Sequence, residues 1–284
     1  MERGYGAPVG RIEERTVEVD GVEIFFREVA GDGAPAVFVH GNPTSSEIWV
    51  PFLERMPGPA VALDLPGWGR SARPPGLDYS MQGLAAQVDR FLAAIAIEAY
   101  RLVVQDWGSL ALIGAQRHPD RVARLVVFNS VPLLPGYRWH WMARWFWRRR
   151  GLGELFNAAA NRPAIKQLSR QGTADRSPLS DDYLDLIWSN WDRSMSRAML
   201  TLYRSADPAA LEAAGARLGE LRCPALVVWG DRDPNIQPRF GRLYAERLPN
   251  AELVALPDAA HWPWLDRPEV IDQVVDFLDE ETPA

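Results

Sequence analysis

The sequence predicts an α/β fold, namely a mostly parallel, eight-stranded sheet flanked by helices and interrupted by an inserted helical cap. Short apolar runs typical of buried strands alternate with helical patterns along most of the 284 residues, as parallel sheets require. The alternation stops at 134–212, which reads as helical and rich in aromatic residues. That stretch is too long for an unstructured loop. We therefore expect an α/β core at 1–133 and 213–284 and a helical cap at 134–212.

Eight strands are predicted in chain order. The first two form a hairpin that turns near Asp20-Gly21, and the other six are short apolar runs that end in loops. The predicted strands are Thr16–Asp20, Val22–Val29, Ala36–His40, Ala60–Asp64, Arg101–Gln105, Arg124–Asn129, Ala225–Trp229 and Glu252–Leu256. The clearest predicted helices of the core are Met81–Ala96, Gly108–Ala115 and Val270–Glu281.

The composition argues against several classes of function. A net charge of −6 gives no support to nucleic-acid binding. The chain lacks a signal-peptide pattern and any long apolar run, so we expect a soluble, cytoplasmic protein with no membrane partner. Its single cysteine, Cys223, excludes an intrachain disulfide and is expected to be a small buried residue. No metal-ligand pattern is visible, so neither a metal nor an organic cofactor is expected. Arginine almost replaces lysine, which indicates a GC-rich bacterial genome.

The expected chemistry is centred on Asp106. It lies between a strand and a helix of small residues and is followed by Trp107 and Gly108, as in a sharp turn that presents a nucleophile. Val104 departs from that pattern, because glycine is usual two positions before the nucleophile. A carboxylate nucleophile indicates attack on a saturated carbon, which gives an ester that water must hydrolyse. The alternative is that Asp106 merely caps the helix that follows.

An acid and a histidine follow the nucleophile in the order such enzymes use. Asp231 and Asp233 lie in the loop after the seventh strand, and His261 lies in the loop after the eighth. We expect Asp233 to orient His261, because it sits deeper in its loop, and Asp231 to make turn hydrogen bonds. Of the remaining histidines, His40 is expected at a structural turn and His118 at the surface, and His140 is expected to pack among cap tryptophans.

With these residues the chain resembles the α/β-hydrolase superfamily over nearly its whole length, and within it the haloalkane dehalogenases. The resemblance rests on His40–Ser46, Gln105–Gly108, Asp233 and His261. Members carry the acid after either the sixth or the seventh strand. Here the sixth strand ends in Phe128–Ser130 without a carboxylate, so the resemblance is to the branch with a late aspartate.

The resemblance implies a role for each site residue. Asp106 would attack the halogen-bearing carbon of a small apolar substrate. The side chains of Asn42 and Trp107 would bind the leaving halide, and their backbone N–H groups would form the oxyanion hole. His261 would act as a base on water, with Asp233 stabilising the imidazolium.

Two other readings stay open. An epoxide hydrolase would use the same nucleophile with cap tyrosines as acids, and Tyr137, Tyr183 and Tyr203 are available. Asn42 argues against it, since those enzymes commonly carry an aromatic residue there. A ligand-binding or oxygenase-like descendant of the scaffold is the second alternative, and the intact set of acid, base and nucleophile argues against it.

The cap aromatics are expected to lie mostly in its core, with one to three of them in a pocket. They are Tyr137, Trp139, Trp141, Trp145, Phe146, Trp147, Trp188 and Trp191. The run Trp147–Arg150 could touch acidic lipid, and the sequence favours a solvated helix end instead.

Overall fold

The computed structural model describes residues 11–174 and 179–280, and within them the chain forms one eight-stranded sheet. The strand order is β1-β2-β4-β3-β5-β6-β7-β8. β1 and β2 pair antiparallel, as do β2 and β4, and every later pairing is parallel. The predicted sheet is thereby confirmed. The strands are β1 (Ile12–Val19), β2 (Val22–Val29), β3 (Ala36–Val39), β4 (Ala60–Leu63), β5 (Tyr100–Asp106), β6 (Val122–Ser130), β7 (Ala225–Gly230) and β8 (Ala251–Leu256).

The predicted strands are correct in number and in order, and they differ from the structure mainly at their ends. β1 begins at Ile12, four residues before the prediction, because its first residues pair with β2 at the edge of the sheet. At an edge, the charged side chains at 13–15 reach solvent, so the run carries no apolar signal.

The described residues also form eleven α-helices. They are α1 (Val50–Leu53), α2 (Met81–Ala94), α3 (Ala111–Ala115), α4 (Leu152–Ala158), α5 (Arg162–Ser169), α6 (Asp181–Ser189), α7 (Arg193–Ser205), α8 (Pro208–Ala214), α9 (Arg239–Arg247), α10 (Pro263–Asp266) and α11 (Glu269–Asp279). α2 ends before the predicted Ala96, whose φ of 56° is not helical. The predicted helix after Asp106 begins as a 3₁₀ turn over Trp107–Leu110 and continues as α3.

The core lies on both faces of the sheet. Val37 and Val39 of β3 join the apolar cluster on one face, and Ala36 and Phe38 join the cluster on the other. A strand that is buried on both faces is apolar at every position, which explains the unbroken runs in the sequence. With both faces covered, the carboxyl ends of the central parallel strands are left to form a site.

Residues 131–224, here called the inserted segment, connect β6 to β7. Their described part contains a π-helical turn at Ala143–Trp147 and the helices α4 to α8. The segment is tied to the core by hydrogen bonds such as Met81 N–H to Ser205 Oγ at 2.9 Å. The division at 134–212 stays a prediction. In the part of the chain that is described, no helix has both the length and the apolar character needed to span a bilayer.

Candidate active site

Asp106 lies on a strained turn at the end of β5. Its φ of 49° and ψ of −121° are rare for a residue with a side chain, and such outliers persist where a function requires them. The loop after β3 approaches it closely, since a Cβ on Gly41 would overlap the Asp106 Cβ and Oδ1. On the other side, a Cβ on Gly108 would overlap the Val39 carbonyl oxygen. Two glycines therefore permit the turn and hold the carboxylate against the loop at residues 40–42.

Two backbone N–H groups act on this buried carboxylate. The Asn42 N–H donates to Asp106 Oδ1 at 2.8 Å, and the Trp107 N–H contributes to lowering the carboxyl pKa. Burial raises the pKa of Asp106 above its ordinary value, while His261 and the two N–H groups act in the opposite direction. Oδ2 is left facing His261. The arrangement resembles an oxyanion hole with its oxygen already in place.

His261 lies between two carboxylates. Its Nδ1 is 2.8 Å from Asp233 Oδ2, and its Nε2 is 3.6 Å from Asp106 Oδ2. Burial alone would lower the pKa of His261, but Asp233 and then Asp106 outweigh it and raise that pKa. Among the described acids, these two are the ones that contact the ring, so the structure brings Asp233 rather than Asp231 to the histidine.

Asp233 is held from several sides. Its Oδ1 accepts hydrogen bonds from the backbone N–H groups of Asn235 at 2.7 Å and Ile236 at 3.1 Å. The Asn129 Nδ2 donates to Oδ2 at 2.8 Å, while Asn129 Oδ1 accepts from the Gly230 N–H at 2.8 Å. Sequence reasoning treated residue 129 only as the place where an acid is missing. Its position at the end of β6, beside the end of β7, is the signal that could have identified it as a partner of the acid.

Gln105 is a second residue that sequence reasoning did not assign. Its Nε2 is 3.0 Å from His261 Nε2 and 3.2 Å from the His261 carbonyl oxygen. A carbonyl oxygen only accepts, so the Gln105 atom that contacts it is the NH₂ group. The same NH₂ faces His261 Nε2, which must then be the unprotonated nitrogen. Gln105 and Asp233 together select the Nδ1–H tautomer of the resting imidazole.

The side chains of Asn42 and Trp107 present N–H groups beside the nucleophile. The Trp68 indole N–H donates to Asn42 Oδ1 at 3.0 Å, which turns the Asn42 NH₂ the other way. Trp107 Nε1 is buried without a well-formed hydrogen bond to any described residue. The Tyr203 ring lies 5.0 Å from the Trp107 ring, edge to face. Burial and then Asp106 raise the pKa of Tyr203, while the neighbouring Trp107 and Asn42 side chains act in the opposite direction.

A cavity of about 60 Å³ opens over these groups. This volume is small beside the several hundred Å³ of typical ligand pockets, so the observed state accommodates only a few substrate atoms. The lining residues that matter most are Asn42, Asp106 and His261 from the core, and Tyr137, Trp139, His140, Met142, Trp147, Trp191 and Tyr203 from the inserted segment.

The structure corrects the expectation for the aromatic residues of this segment. Four of the eight line the cavity, not one to three: Tyr137, Trp139, Trp147 and Trp191. Trp139 and Trp147 already donate their indole N–H groups, to the Ala206 carbonyl at 3.1 Å and to Asn157 Oδ1 at 3.0 Å, so neither is free to bind a halide. Of the three tyrosines considered as acids, Tyr137 and Tyr203 line the cavity and Tyr183 does not.

The prediction for His140 was incomplete. The residue packs among aromatic rings as expected, but it also lines the cavity, and its Nδ1 is buried without a partner among the described residues. Burial lowers the pKa of His140 to about 4, so the ring is neutral at physiological pH. His40 is structural as predicted: its Nε2 accepts from the Leu65 N–H at 2.9 Å, and its Nδ1 bonds the Gly41 carbonyl. His118 is exposed.

In residues 11–174 and 179–280, no three or more His, Cys, Asp and Glu side chains are grouped so as to hold a metal ion. Cys223 is half-buried rather than fully buried, and burial raises the pKa of its thiol to about 11.

Comparison with known proteins agrees with this geometry. Residues 35–268 match the α/β-hydrolase fold family. A haloalkane dehalogenase of Mesorhizobium japonicum is 30% identical over 269 residues, which cover 87% of this chain and 85% of that protein. A cis-3-alkyl-4-alkyloxetan-2-one decarboxylase of Xanthomonas campestris is 30% identical over 282 residues, covering 91% and 92%. The solved haloalkane dehalogenase DatA from Agrobacterium tumefaciens has a TM-score of 0.80 at 27% identity, covering 94% and 96%. The chain therefore belongs to the haloalkane dehalogenase family of the α/β-hydrolase fold, whose enzymes are hydrolases acting on carbon–halide bonds.

Proposed function

We propose that this protein hydrolyses small apolar haloalkanes to alcohol and halide through an ester on Asp106. One observation carries the proposal: a buried carboxylate has one oxygen held by the Asn42 backbone N–H and the other turned towards His261 at 3.6 Å. A carboxylate oriented in this way in an enclosed cavity is suited to displacing a leaving group from a saturated carbon. Residues 134–212 act as the cap that closes this cavity.

In the first step Asp106 Oδ2 attacks the halogen-bearing carbon. The carbon–halogen bond breaks, and its electron pair leaves with the halide. A departing anion needs hydrogen-bond donors rather than a proton, and the Asn42 NH₂ and the Trp107 indole N–H supply them. Trp68 holds Asn42 in the orientation that this role requires.

In the second step water hydrolyses the ester. His261 Nε2 removes a proton from water as the water oxygen bonds to the ester carbonyl carbon, and Asp233 stabilises the imidazolium. The backbone N–H groups of Asn42 and Trp107 stabilise the oxyanion. The intermediate collapses, the departing alkoxide takes the proton from His261, and the new Asp106 carboxyl group releases its own proton to solvent.

Oxetanone decarboxylation is the second candidate, favoured by the similarity to the Xanthomonas enzyme over nearly the whole of both chains. Asp106 would attack the saturated ring carbon that is bonded to the ring oxygen. That carbon–oxygen bond would break, and the ring would open to a carboxylate. That carboxylate would leave as CO₂, its bonding electrons would form the C=C bond, and Asp106 would be released. The leaving group of the opening step is again an anion, so Asn42 and Trp107 would serve here too. No water is consumed.

Parallel turnover of three substrate panels tests the proposal. Purified protein receives brominated and chlorinated alkanes, a cis-3,4-dialkyloxetan-2-one, and terminal epoxides. The readouts are halide, alkene with CO₂, and diol. Halide release that is lost in Asp106→Ala supports the dehalogenase. Alkene formation alone supports the decarboxylase, and diol alone supports an epoxide hydrolase with Tyr137 or Tyr203 as the acid. No turnover in any panel supports the ligand-binding or oxygenase-like alternative.

The assignment of the base and its acid is tested by trapping. In His261→Phe the ester on Asp106 should persist, so mass spectrometry after exposure to a bromoalkane should show the added alkyl mass. Asp233→Asn should slow ester hydrolysis, whereas the matched variant Asp231→Asn, two residues away, should not. Unmodified His261→Phe protein after exposure contradicts the two-step mechanism.

A further inference from the structure

The inserted segment exposes an unusual amount of apolar surface within one short stretch. Trp141 is 57% exposed, Trp145 47%, Leu152 43% and Leu155 68%. In the described part of the chain these are the four exposed large hydrophobic side chains, and all lie within residues 141–155. Single exposed apolar side chains are ordinary, whereas a cluster of them marks an interaction surface.

Ring contacts join the π-helical turn that follows Trp141 to helix α4, which carries Leu152 and Leu155. The Trp141 ring lies 6.0 Å from the Phe146 ring. The Phe146 ring lies 4.6 Å from the Phe156 ring, and this contact joins the π-helical turn to α4. Gly153 packs against the Phe146 carbonyl oxygen, so the two elements are in direct contact. Leu152 and Leu155 extend the surface along α4.

The same surface carries positive charge. Arg144, Arg149 and Arg150 are exposed, and none of them pairs with an acid within the described residues. The guanidinium groups of Arg144 and Arg149 lie 5.3 and 4.6 Å from the centre of the Trp145 ring. Glu154, the acid within this stretch, is engaged by Arg204 at 2.7 Å. The patch is therefore basic in a chain whose net charge is −6.

We propose that this patch, Trp141–Leu155, docks the protein on the surface of an anionic membrane. Tryptophan side chains with arginines beside them are typical of segments that lie in the interface between lipid headgroups and acyl chains. A symmetric dimer through this patch would bring the same arginines of two copies together, and like charges oppose that contact. Lipid headgroups supply the opposite charge, and acyl chains cover the exposed indole and leucine side chains.

Docking in this way would turn the active-site cavity towards the lipid. Trp139, His140, Met142 and Trp147 line the cavity from the same stretch that exposes Trp141 and Trp145. An apolar substrate dissolved in the bilayer would then be concentrated beside the cap. This consequence rests on the proposed function, whereas the binding itself does not.

Vesicle sedimentation tests the binding. The full chain is mixed with vesicles of phosphatidylglycerol and phosphatidylcholine in equal amounts, or of phosphatidylcholine alone. We expect sedimentation with the first and little with the second. At about 1 kcal/mol for each arginine near an anionic surface, the triple variant Arg144→Gln, Arg149→Gln, Arg150→Gln should bind on the order of 100-fold more weakly. The control variant removes the same charge from three exposed arginines outside the patch. It is Arg11→Gln, Arg222→Gln, Arg242→Gln, and it should bind as the parent does.

The double variant Trp141→Ser, Trp145→Ser tests the apolar contribution and should also bind weakly. Circular dichroism and thermal unfolding check that each variant is folded, and because sedimentation needs no turnover, its result is independent of the substrate. Absence of sedimentation with the anionic vesicles at low salt overturns the proposal, as does equal loss in the control triple variant. A parent protein that is dimeric by analytical ultracentrifugation, with a monomeric Trp141→Ser, Trp145→Ser variant, assigns the patch to self-association and also overturns it.

Discussion

Replacing Gln105 by Met should shift the pH dependence of ester hydrolysis to higher pH. The Gln105 NH₂ donates towards His261 Nε2 at 3.0 Å, which stabilises the neutral ring and opposes its protonation. Methionine has a similar length and no donor, so the neutral form loses that stabilisation and the pKa of His261 rises. A base with a higher pKa stays protonated to higher pH, and the acid limb of the hydrolysis rate must move upward with it.

The size of the shift follows from the hydrogen bond. A neutral hydrogen bond contributes about 0.5–1.5 kcal/mol net, and about 1.4 kcal/mol corresponds to one pH unit, so we expect roughly 0.4–1.1 units. Gln105→Glu should shift the limb further, because a carboxylate accepts from the protonated ring. The charge of the other titratable groups that face His261 should not differ between the variants. Asp233 is bonded to Nδ1, His140 is neutral, and Asp106 is esterified during this step.

Single-turnover kinetics isolates the step. A bromoalkane is mixed with excess enzyme, and samples are quenched at intervals and analysed by mass spectrometry for the rise and decay of alkylated Asp106, at a series of pH values. Gln116→Met is the matched control, since Gln116 is also buried and bonds the Leu112 and Ala214 carbonyl groups away from the site. A Gln105→Met rate that falls equally at every pH, with an unmoved limb, would refute this role and leave Gln105 as a packing residue.

Three further outcomes are expected. Gly41→Ala should slow alkylation by on the order of 100-fold, because the added Cβ displaces the Asp106 carboxylate. Gly76 has open space around it, so Gly76→Ala should leave the rate unchanged in the same single-turnover assay. Tyr203→Phe should leave halide release nearly unchanged and lower any diol formation by roughly 10²–10⁴, since only an alkoxide needs a proton. Halide release in a single turnover should persist to lower pH than ester hydrolysis, because only hydrolysis needs the neutral His261 ring as a base, and Asp233 raises the pKa of that ring. A shared acid limb for the two rates would contradict this.

The sheet and the central acid–histidine arrangement could be predicted because they leave local signals. A buried parallel strand is apolar at every position, and the loops that follow such strands carry the polar residues. Asp106 ends β5, and Asp233 and His261 lie in the loops after β7 and β8, so their convergence follows from topology. β1 was predicted too short for the converse reason: its charged residues pair at the sheet edge, where no apolar pattern is needed.

The residues that orient the site left no comparable signal. Trp68 and Gln105 act through hydrogen bonds across the fold, to Asn42 Oδ1 and to His261, and these contacts are not visible in local spacing. The exposure of Trp141 and Trp145 was equally hidden, because their neighbours Trp139 and Trp147 are buried and the segment's periodicity is broken by a π-helical turn. Aromatic content alone therefore predicted buried side chains throughout, whereas Trp141 and Trp145 are exposed.

The three chemistries compatible with this site differ mainly in the basicity of the anion that leaves. A halide and the carboxylate of an opened oxetanone depart as anions, and both are satisfied by the fixed N–H groups of Asn42 and Trp107. An opened epoxide leaves an alkoxide, which needs a proton that neither of these donors gives up. Tyr203 faces both donors with a hydroxyl whose pKa burial has raised, so it holds its proton firmly in the resting state. In the proposed mechanism the Asn42 and Trp107 N–H groups would therefore serve a weakly basic leaving group without any proton transfer, and this favours carbon–halide hydrolysis over epoxide opening.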